Sequence, residues 1–271
     1  MLSFNTYHRP QALESAYEIL NKHKRSQVIG GGAFLRMGNR KLTDVIDLSS
    51  LNLDTVQTHT DQIEIGAMTT FHTLESGAHI PQKHRAFFKE SLGQIVGIQL
   101  RNMVTVGGTV YSRYGFSDLN TALLAFGGAV HLYKSGQISI ENFFEQSLPD
   151  RDILIKVCIP SAFDAASFKS ARLSTADYAL LNLAVTFTSG QYRIAVGARP
   201  HRAKLALETM HLLNSKGLSH ETIDQAAETL AMEMPFGSNR LASSTYRQAV
   251  SKGLLKEALN SILQEVHSNE N

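Results

Sequence analysis

The order of strand and helix patterns changes near Pro160, and this change constrains the fold more than any other feature of the sequence. Before Pro160, short apolar runs typical of strands alternate with helical patterns, as in an α/β domain. After Pro160, strand patterns come first and three helical patterns follow. A chain of 271 residues is long enough for two modest domains. We therefore predict an α+β protein with one domain over residues 1–160 and a second over residues 161–271.

Charge and hydropathy exclude several function classes. The formal net charge is only +2 and no basic block occurs, so no nucleic-acid surface is expected. No apolar run approaches the ~20 residues that cross a bilayer, so no membrane span is predicted. The first twenty residues lack the basic start and apolar core of a signal peptide, which leads us to expect a cytoplasmic protein.

Metal-binding patterns are missing from the sequence. Cys158 is the only cysteine, so this chain alone cannot hold an iron–sulfur cluster or a zinc–thiolate site. The eleven histidines are scattered without the H-x-x-x-H spacing that zinc favours on a helix. We predict no metal site, and we interpret Cys158 as a core residue of the strand "DILIKVCIP".

Three consecutive glycines, Gly30 to Gly32, follow the strand-like run "SQVI". Glycines at the end of a strand let backbone N–H groups approach a phosphate without a Cβ in the way. The dinucleotide fingerprint is incomplete because Leu35 takes the position of its last glycine, and no P-loop pattern follows. A tight turn without any ligand would also use the φ freedom of glycine. Both interpretations of the triplet therefore stay open.

A second glycine-rich loop lies in "QLRNMVTVGGTVYSRYGFSDL", where small donors surround a glycine pair and one acid closes the set. Such a set suits a pyrophosphate, with the carboxylate accepting from ribose or ribityl hydroxyls. The alternative is a hydrogen-bonded surface loop in which the acid caps the following helix. The residues are Thr105, Gly107, Gly108, Thr109, Ser112, Ser117 and Asp118.

The two loops resemble those of the FAD-binding medium subunits of molybdenum hydroxylases, the family of xanthine dehydrogenase and carbon monoxide dehydrogenase flavoproteins. "VIGGGAFL" is similar to the first FAD-binding loop of that family, and the spacing from Thr105 to Asp118 matches the second without a gap. Four later segments are similar to family motifs in the same order: "DILIKVCIP", "FKSARLSTADYALLNLAV", "GARPHRAKLALE" and "SSTYRQAV". The resemblance thus covers essentially the whole chain.

The resemblance implies a fold and a role. The fold is the p-cresol-methylhydroxylase-type FAD-binding fold, with two α/β subdomains (about 1–54 and 55–160) and FAD between them. A C-terminal domain over 161–271 would consist of a three-stranded antiparallel sheet packed with helices. The implied role is electron transfer from 2Fe–2S clusters on a small iron–sulfur subunit, through FAD, to NAD or another acceptor. A large molybdopterin-binding subunit would complete the assembly, with xanthine or a related N-heterocycle as its substrate.

The resemblance also implies the FAD-binding residues, and it assigns no catalytic acid or base because the flavin carries the chemistry. Gly31 and Gly32 would approach the pyrophosphate, and Asp118 would bind hydroxyls of the ribityl chain or the ribose. The full set is Ile29, Gly30, Gly31, Gly32, Ala33, Phe34 and Leu35 in the first loop, Thr105, Gly107, Gly108, Thr109, Ser112 and Asp118 in the second, and Ile155 and Leu180 further along the chain.

This chain departs from the family at several of these positions. Ala33 and Phe34 replace a polar pair, Thr109 replaces an asparagine and Gly115 replaces a proline, while the loop "FFEQSLPDRDIL" is shorter than its counterpart. Each hydrogen bond lost to a charged group would cost ~1.5–3 kcal/mol. The alternative hypothesis is therefore a degenerate paralogue without FAD that serves as a structural or assembly partner. A stand-alone flavin enzyme is disfavoured, since no acid or base cluster for a substrate is visible.

Overall fold

Three parallel strands form the first sheet of the computed structural model, which describes residues 2–146, 151–175 and 177–270. The strands are β1 (Ser3–His8), β2 (Gln27–Ile29) and β3 (Lys41–Asp47), in the order β1–β3–β2. Helix α1 (Leu13–Lys22) connects β1 to β2 and buries its apolar face against β3. The glycine triplet thus starts at the carboxyl end of a parallel strand, where α/β sheets usually bind ligands.

The second sheet has five antiparallel strands in the order β4–β5–β8–β6–β7. These strands are β4 (Val56–Thr58), β5 (Gln62–Gly66), β6 (Ala129–Leu132), β7 (Gly136–Ser139) and β8 (Leu154–Pro160). The helices in this part are α2 (Phe71–Ser76), α3 (Gln82–Leu92), α4 (Ile98–Arg101), α5 (Val106–Ser112), α6 (Asp118–Phe126) and α7 (Ile140–Glu145). Residues from both the strands and the helices form one apolar core.

The third sheet belongs to the C-terminal part and is antiparallel, in the order β12–β11–β10–β9. Its strands are β9 (Ala165–Ala171), β10 (Leu181–Thr188), β11 (Gln191–Gly197) and β12 (Lys204–Leu205). The predicted three strands are therefore joined by a two-residue edge strand. The helices α8 (Leu207–Lys216), α9 (His220–Glu233) and α10 (Ser244–Glu270) pack with this sheet around a second core.

Helix α6 joins the two halves of the molecule. All nine of its residues are buried, because it packs against β8 on one side and against β10 and β11 on the other. A helix that is buried on every side is mostly apolar, as "LNTALLAF" is, and its buried polar groups need partners. Thr121 Oγ1, for example, donates to Asn182 Oδ1 at 2.8 Å. Its N-cap is Ser117, whose hydroxyl accepts a hydrogen bond from the N–H of Asn120 at 3.1 Å, so Asp118 is not the cap. Asp118 lies instead in the first turn, with its side chain directed into the protein.

The structure also shows two separate helices, α3 and α4, in a stretch whose sequence has a helical pattern throughout. The pattern in "HRAFFKESLGQIVGIQLRNMV" is interrupted at Gly93, which ends α3, and at Gly97, which has φ +81° before α4. Positive φ favours glycine, so α4 cannot continue α3. This break turns the chain back and brings Met103 and Thr105 beside the first glycine loop.

Candidate functional site

The first glycine loop presents free backbone donors. The N–H groups of Gly31, Gly32, Ala33 and Phe34 donate to no acceptor among residues 2–146, 151–175 and 177–270. Gly31 and Gly32 have φ values of +71° and +65°, and Phe34 has helical φ and ψ. Successive N–H groups in such left-handed and right-handed conformations form a concave anion-binding surface. A Cβ built on Gly32 would meet no atom within 4 Å, so the space beside this residue is open.

Gly30 and Gly31 are packed against protein atoms, whereas Gly32 faces open space. A Cβ on Gly31 would lie 1.7 Å from the carbonyl oxygen of Met103. A Cβ on Gly30 would lie 2.4 Å from Thr105 Oγ1 and 3.1 Å from the Cα of Gly108. These two glycines therefore allow the first loop to contact the second, backbone against backbone.

The second glycine loop uses its own donors inside the protein. The first four N–H groups of α5 all have partners within the chain, and a Cβ on Gly107 would lie 2.7 Å from the carbonyl oxygen of Ala67. The N–H groups of Gly107 and Gly108 are consequently not free, and this loop acts as a support on which the first loop lies. The bonds run from Val106 to the Thr69 carbonyl, Gly107 to the Ala67 carbonyl, Gly108 to Thr105 Oγ1 and Thr109 to the Thr105 carbonyl.

Asp118 lies at the centre of a buried polar network. Its side chain is 4 % exposed, and Oδ2 accepts from Arg172 Nη2 at 2.6 Å while Oδ1 accepts from Asn182 Nδ2 at 2.7 Å. Burial raises the pKa of this carboxyl. The positive charge of Arg172 and the hydrogen bonds from Arg172 and Asn182 act in the opposite direction and lower the pKa in part. A carboxylate oxygen can accept two hydrogen bonds, so each oxygen retains one acceptor position for a hydroxyl.

Ile155 and Leu180, the two predicted site residues outside the glycine loops, lie on β8 and directly before β10. The carbonyl oxygen of Ile155 accepts from the N–H of Ala67 at 2.8 Å, which places this part of β8 next to the second loop. Leu180 is 2 % exposed and precedes β10, and its carbonyl oxygen accepts from Arg247 Nε at 2.7 Å. Ser112 lies at the end of α5, where its hydroxyl donates to the carbonyl of Gly108 at 2.6 Å.

Four aromatic rings connect the first loop with the second loop and with the residues that precede β10. This aromatic cluster consists of Phe34, Tyr114, Phe116 and Tyr178, with ring centroids 4.5 Å apart for Phe34–Tyr114, 5.2 Å for Tyr114–Phe116 and 4.5 Å for Phe116–Tyr178. Phe34 and Tyr178 are 41 % and 50 % exposed. The phenylalanine that replaces a polar family residue thus packs on the adjoining loop.

Sequence reasoning did not assign Arg172, Asn182 or the aromatic residues outside the first loop. The signals were present, since Tyr114 and Phe116 lie inside the quoted second loop and Arg172 and Tyr178 lie inside the quoted segment "FKSARLSTADYALLNLAV". The prediction of a shortened loop in "FFEQSLPDRDIL" concerns residues 147–150, which lie outside the described residues.

Two kinds of feature are missing from the part of the chain that the structure describes. No helix there is long and apolar enough to cross a membrane. No group of three or more His, Cys, Asp or Glu side chains there could hold a metal ion. Cys158 is 3 % exposed on β8, which confirms it as a core residue, and burial raises the pKa of its thiol.

Comparison with known proteins decides the family. Residues 2–162 match the sequence family described as "FAD binding domain in molybdopterin dehydrogenase". The chain belongs to this FAD-binding family. Residues 166–262 match a second family, "CO dehydrogenase flavoprotein C-terminal domain". The predicted membership in the molybdenum hydroxylase flavoproteins is confirmed, and the chain is an oxidoreductase subunit of that family.

Members of the family with similar length include two medium or FAD-binding subunits. The nicotine 6-hydroxylase medium subunit of Paenarthrobacter nicotinovorans is 26% identical over 270 residues, covering 93% of this chain and 95% of the relative. The xanthine dehydrogenase FAD-binding subunit of Escherichia coli O157:H7 is 24% identical over 288 residues, covering 96% of this chain and 97% of the relative.

Solved structures of the family have the same fold. Cu,Mo-CO dehydrogenase matches with a TM-score of 0.87 and 20% identity, over 97% of this chain and 98% of the matched chain. Quinoline 2-oxidoreductase from Pseudomonas putida 86 matches with a TM-score of 0.83 and 20% identity, over 96% of this chain and 98% of the matched chain. The predicted p-cresol-methylhydroxylase-type fold with a C-terminal sheet and helices is therefore confirmed.

Proposed function

We propose that this FAD subunit works in a cytoplasmic complex with a small iron–sulfur subunit and a large molybdopterin-binding subunit. Electrons from the iron–sulfur clusters would pass through FAD to NAD or another acceptor. Xanthine or a related N-heterocycle is the proposed substrate of the complex. Two relatives support this choice, because their names specify nicotine and xanthine, both of which are N-heterocycles.

The observation that carries the proposal is the row of free N–H groups from Gly31 to Phe34. A pyrophosphate is an anion with several acceptor oxygens, and backbone N–H groups around it supply charge-assisted hydrogen bonds. The side chains of Ala33 and Phe34 supply no donors, and the N–H groups of these two residues remain available. The open space beside Gly32 leaves room for the phosphate oxygens.

The remaining proposed site residues lie at the ends of the first loop, in or beside the second loop, on β8 and directly before β10. Thr105 and Gly108 hold the second loop against Gly30, and Gly107 packs that loop on Ala67. Asp118 accepts from a ribityl or ribose hydroxyl with its remaining lone pairs. The bound flavin supplies the redox chemistry, so the chain supplies position and electrostatics. The other members of the proposed set are Ile29, Leu35, Thr109, Ser112, Ile155 and Leu180.

The domain division proposed for this function has FAD between two subdomains. These would comprise residues 1–54 and 55–160, with residues 161–271 as the C-terminal domain. The separate sheets of residues 3–47, 56–160 and 165–205 support these limits.

Flavin binding can be tested on the purified protein. We expect visible flavin absorbance as isolated and, after flavin removal, saturable binding of one FAD per chain measured by flavin fluorescence. Riboflavin, which lacks the phosphates, is the matched control ligand and should bind far more weakly. A colourless protein that also ignores added FAD would contradict the proposal and support the degenerate paralogue.

The partner and acceptor assignments need a separate experiment. Tagged protein should co-purify with a molybdopterin-containing subunit and a 2Fe–2S subunit. Chemically reduced flavin in this complex, mixed separately with NAD⁺, a quinone and oxygen, should be reoxidised fastest by the physiological acceptor. Failure of NAD⁺ with rapid reoxidation by the quinone would replace NAD in the proposal.

A further inference from the structure

Arg172 connects three segments of the chain with one guanidinium. Its side chain is 7 % exposed and follows the last residue of β9. Nη2 donates to Asp118 Oδ2 at 2.6 Å on α6, Nη1 donates to the carbonyl of Asp177 at 2.8 Å, and Nε donates to Gln94 Oε1 at 2.9 Å. The side chain therefore ties the connection between β9 and β10 to the N-terminal part of the molecule.

A second buried arginine holds the far end of the same connection. Arg247 on α10 is 1 % exposed, and its Nε donates to the carbonyl of Leu180 at 2.7 Å. The β9–β10 connection is thus fixed near its start by Arg172 and at its end by Arg247. The other acceptors of Arg247 are the carbonyls of Gly237 and Ala242 and the side-chain oxygen of Asn239.

Between these fixed points lies an exposed aromatic residue that faces the glycine loops. Tyr178 directly follows Asp177, whose carbonyl binds Arg172, and its ring centroid lies 4.5 Å from that of Phe116. Through Phe116, the aromatic cluster continues to Phe34 at the end of the row of free N–H groups. The position of Tyr178 relative to the first loop therefore depends on the contacts that hold Asp177.

We propose that Arg172 is a positioning residue of the flavin site: it holds the segment from Asp177 to Leu180, with Tyr178, beside the glycine loops and fixes Asp118 at the same time. The inference rests on the proposed function. The planar fork of arginine lets one side chain bind a carboxylate and a carbonyl in a fixed relative geometry. A lysine at this position keeps the charge and cannot make these contacts together.

The test compares Arg172→Lys with Arg199→Lys. Arg199 is a matched control because it is 6 % exposed, lies in the C-terminal part and donates to the carbonyl of Pro235 at 2.8 Å instead of to Asp118 or Asp177. Three quantities are measured: chymotrypsin cleavage after Tyr178 in FAD-free protein, the FAD dissociation constant, and the visible circular dichroism of bound flavin. Thermal unfolding is recorded for every variant to verify folding.

We expect Arg172→Lys to accelerate cleavage after Tyr178 roughly tenfold and to weaken FAD binding by about the same factor, with an altered visible circular dichroism. Arg199→Lys should lower the unfolding temperature and leave the cleavage rate at Tyr178 and the flavin spectrum unchanged. In a Tyr178→Ala background, Arg172→Lys should change the flavin spectrum less than it does in the wild type, because coupled residues are non-additive.

Two outcomes would overturn the inference while leaving the proposed function intact. One is wild-type FAD binding together with wild-type cleavage and spectrum in Arg172→Lys. The other is equal changes in Arg172→Lys and Arg199→Lys, which would indicate general loosening of the C-terminal domain. Wild-type protein that binds no FAD would instead overturn the proposed function, and the flavin-site role of Arg172 with it.

Discussion

The two glycine-rich loops have similar compositions and opposite uses. In the first loop, four consecutive N–H groups have no acceptor in the part of the chain that the structure describes, and the third glycine of the triplet faces open space. In the second loop, the first four N–H groups of α5 are bonded within the chain, and Gly107 and Gly108 make room for protein atoms. A glycine-rich sequence is therefore not a phosphate site in itself. Unpaired donors facing an open space distinguish the ligand loop from the loop that supports it.

The contact between the loops explains why both need glycine. Gly30 and Gly108 meet backbone to backbone, with Thr105 Oγ1 packed beside both. Thr105 is 3 % exposed and also caps α5 by accepting from the N–H of Gly108. Because buried N–H groups must find acceptors, a second loop packed this closely has to satisfy its donors internally. The first loop can then leave its own donors for a ligand.

The largest expected effect comes from a substitution that prevents the close contact between the first loop and the Met103 carbonyl. Gly31→Ala would place a Cβ 1.7 Å from the Met103 carbonyl oxygen, at a residue with φ +71°. We expect a loss of ~3–5 kcal/mol in the free energy of unfolding, measured with urea. Gly136→Ala is the matched control, since Gly136 has the same φ of +71° and no atom within 4 Å of its Cβ position. The control should lose only ~1–2 kcal/mol, and equal losses would contradict the contact argument.

A smaller loss is expected in the second loop. Gly107→Ala keeps a helical backbone but puts a Cβ 2.7 Å from the Ala67 carbonyl oxygen, so we expect a net destabilisation of ~2–3 kcal/mol. Gly253→Ala is the control, because this exposed glycine of α10 has no atom within 4 Å of its Cβ position. That variant should gain ~0.5–1 kcal/mol from helix propensity. Stabilisation of both variants in urea unfolding would show that α5 can move away from Ala67.

Gly32→Ala should lower FAD affinity and cost no more free energy of unfolding than Gly136→Ala. The added methyl meets no protein atom, so the free energy of unfolding should fall by only the ~1–2 kcal/mol cost of a left-handed alanine, as in Gly136→Ala. The same methyl would occupy the open space proposed for the pyrophosphate. We expect FAD affinity, measured by fluorescence titration, to fall at least about tenfold, or ~1.4 kcal/mol. Unchanged affinity would place the phosphates elsewhere.

Local sequence signals were sufficient for many elements of this fold. The Ser-Gly pair in "TSGQ" is typical of a hairpin turn, and Ser189 and Gly190 have φ values of +49° and +80° there. Thr70 and Ser243, residue types that are favoured at helix N-termini, cap α2 and α10. Strand β1 was missed because its side chains are almost all exposed, and pairing with β3 holds it in place. An edge strand of this kind carries no burial pattern for a sequence to reveal.

At the site, the spacing of the glycine motifs in the sequence was sufficient to locate the two loops. It could not show which of their backbone N–H groups are free. Whether an N–H of Gly107 or of Gly32 is available depends on the carbonyl groups that the tertiary fold brings near it, such as that of Ala67. The partner of Asp118 is equally non-local, since Arg172 lies 54 residues away in sequence. Motif resemblance located both residues, and only the packing of α6 between two sheets shows that they form a pair.

The smallest expected effect concerns the ring that replaces a polar residue in the ligand loop. Phe34 lies 4.5 Å from Tyr114 between ring centroids, so part of the contact between the two loops is aromatic. A double-mutant cycle with Phe34→Leu and Tyr114→Leu should give a coupling energy of ~0.5–1.5 kcal/mol in urea unfolding. The pair Phe187 and Tyr192, also 4.5 Å apart in the C-terminal sheet, is a reference cycle remote from the loops. FAD should increase the unfolding free energy of all the variants, since the rings leave the N–H row intact. A coupling near zero with a normal reference cycle would show that the loops are joined through the backbone contacts of Gly30 and Gly31 and not through the rings.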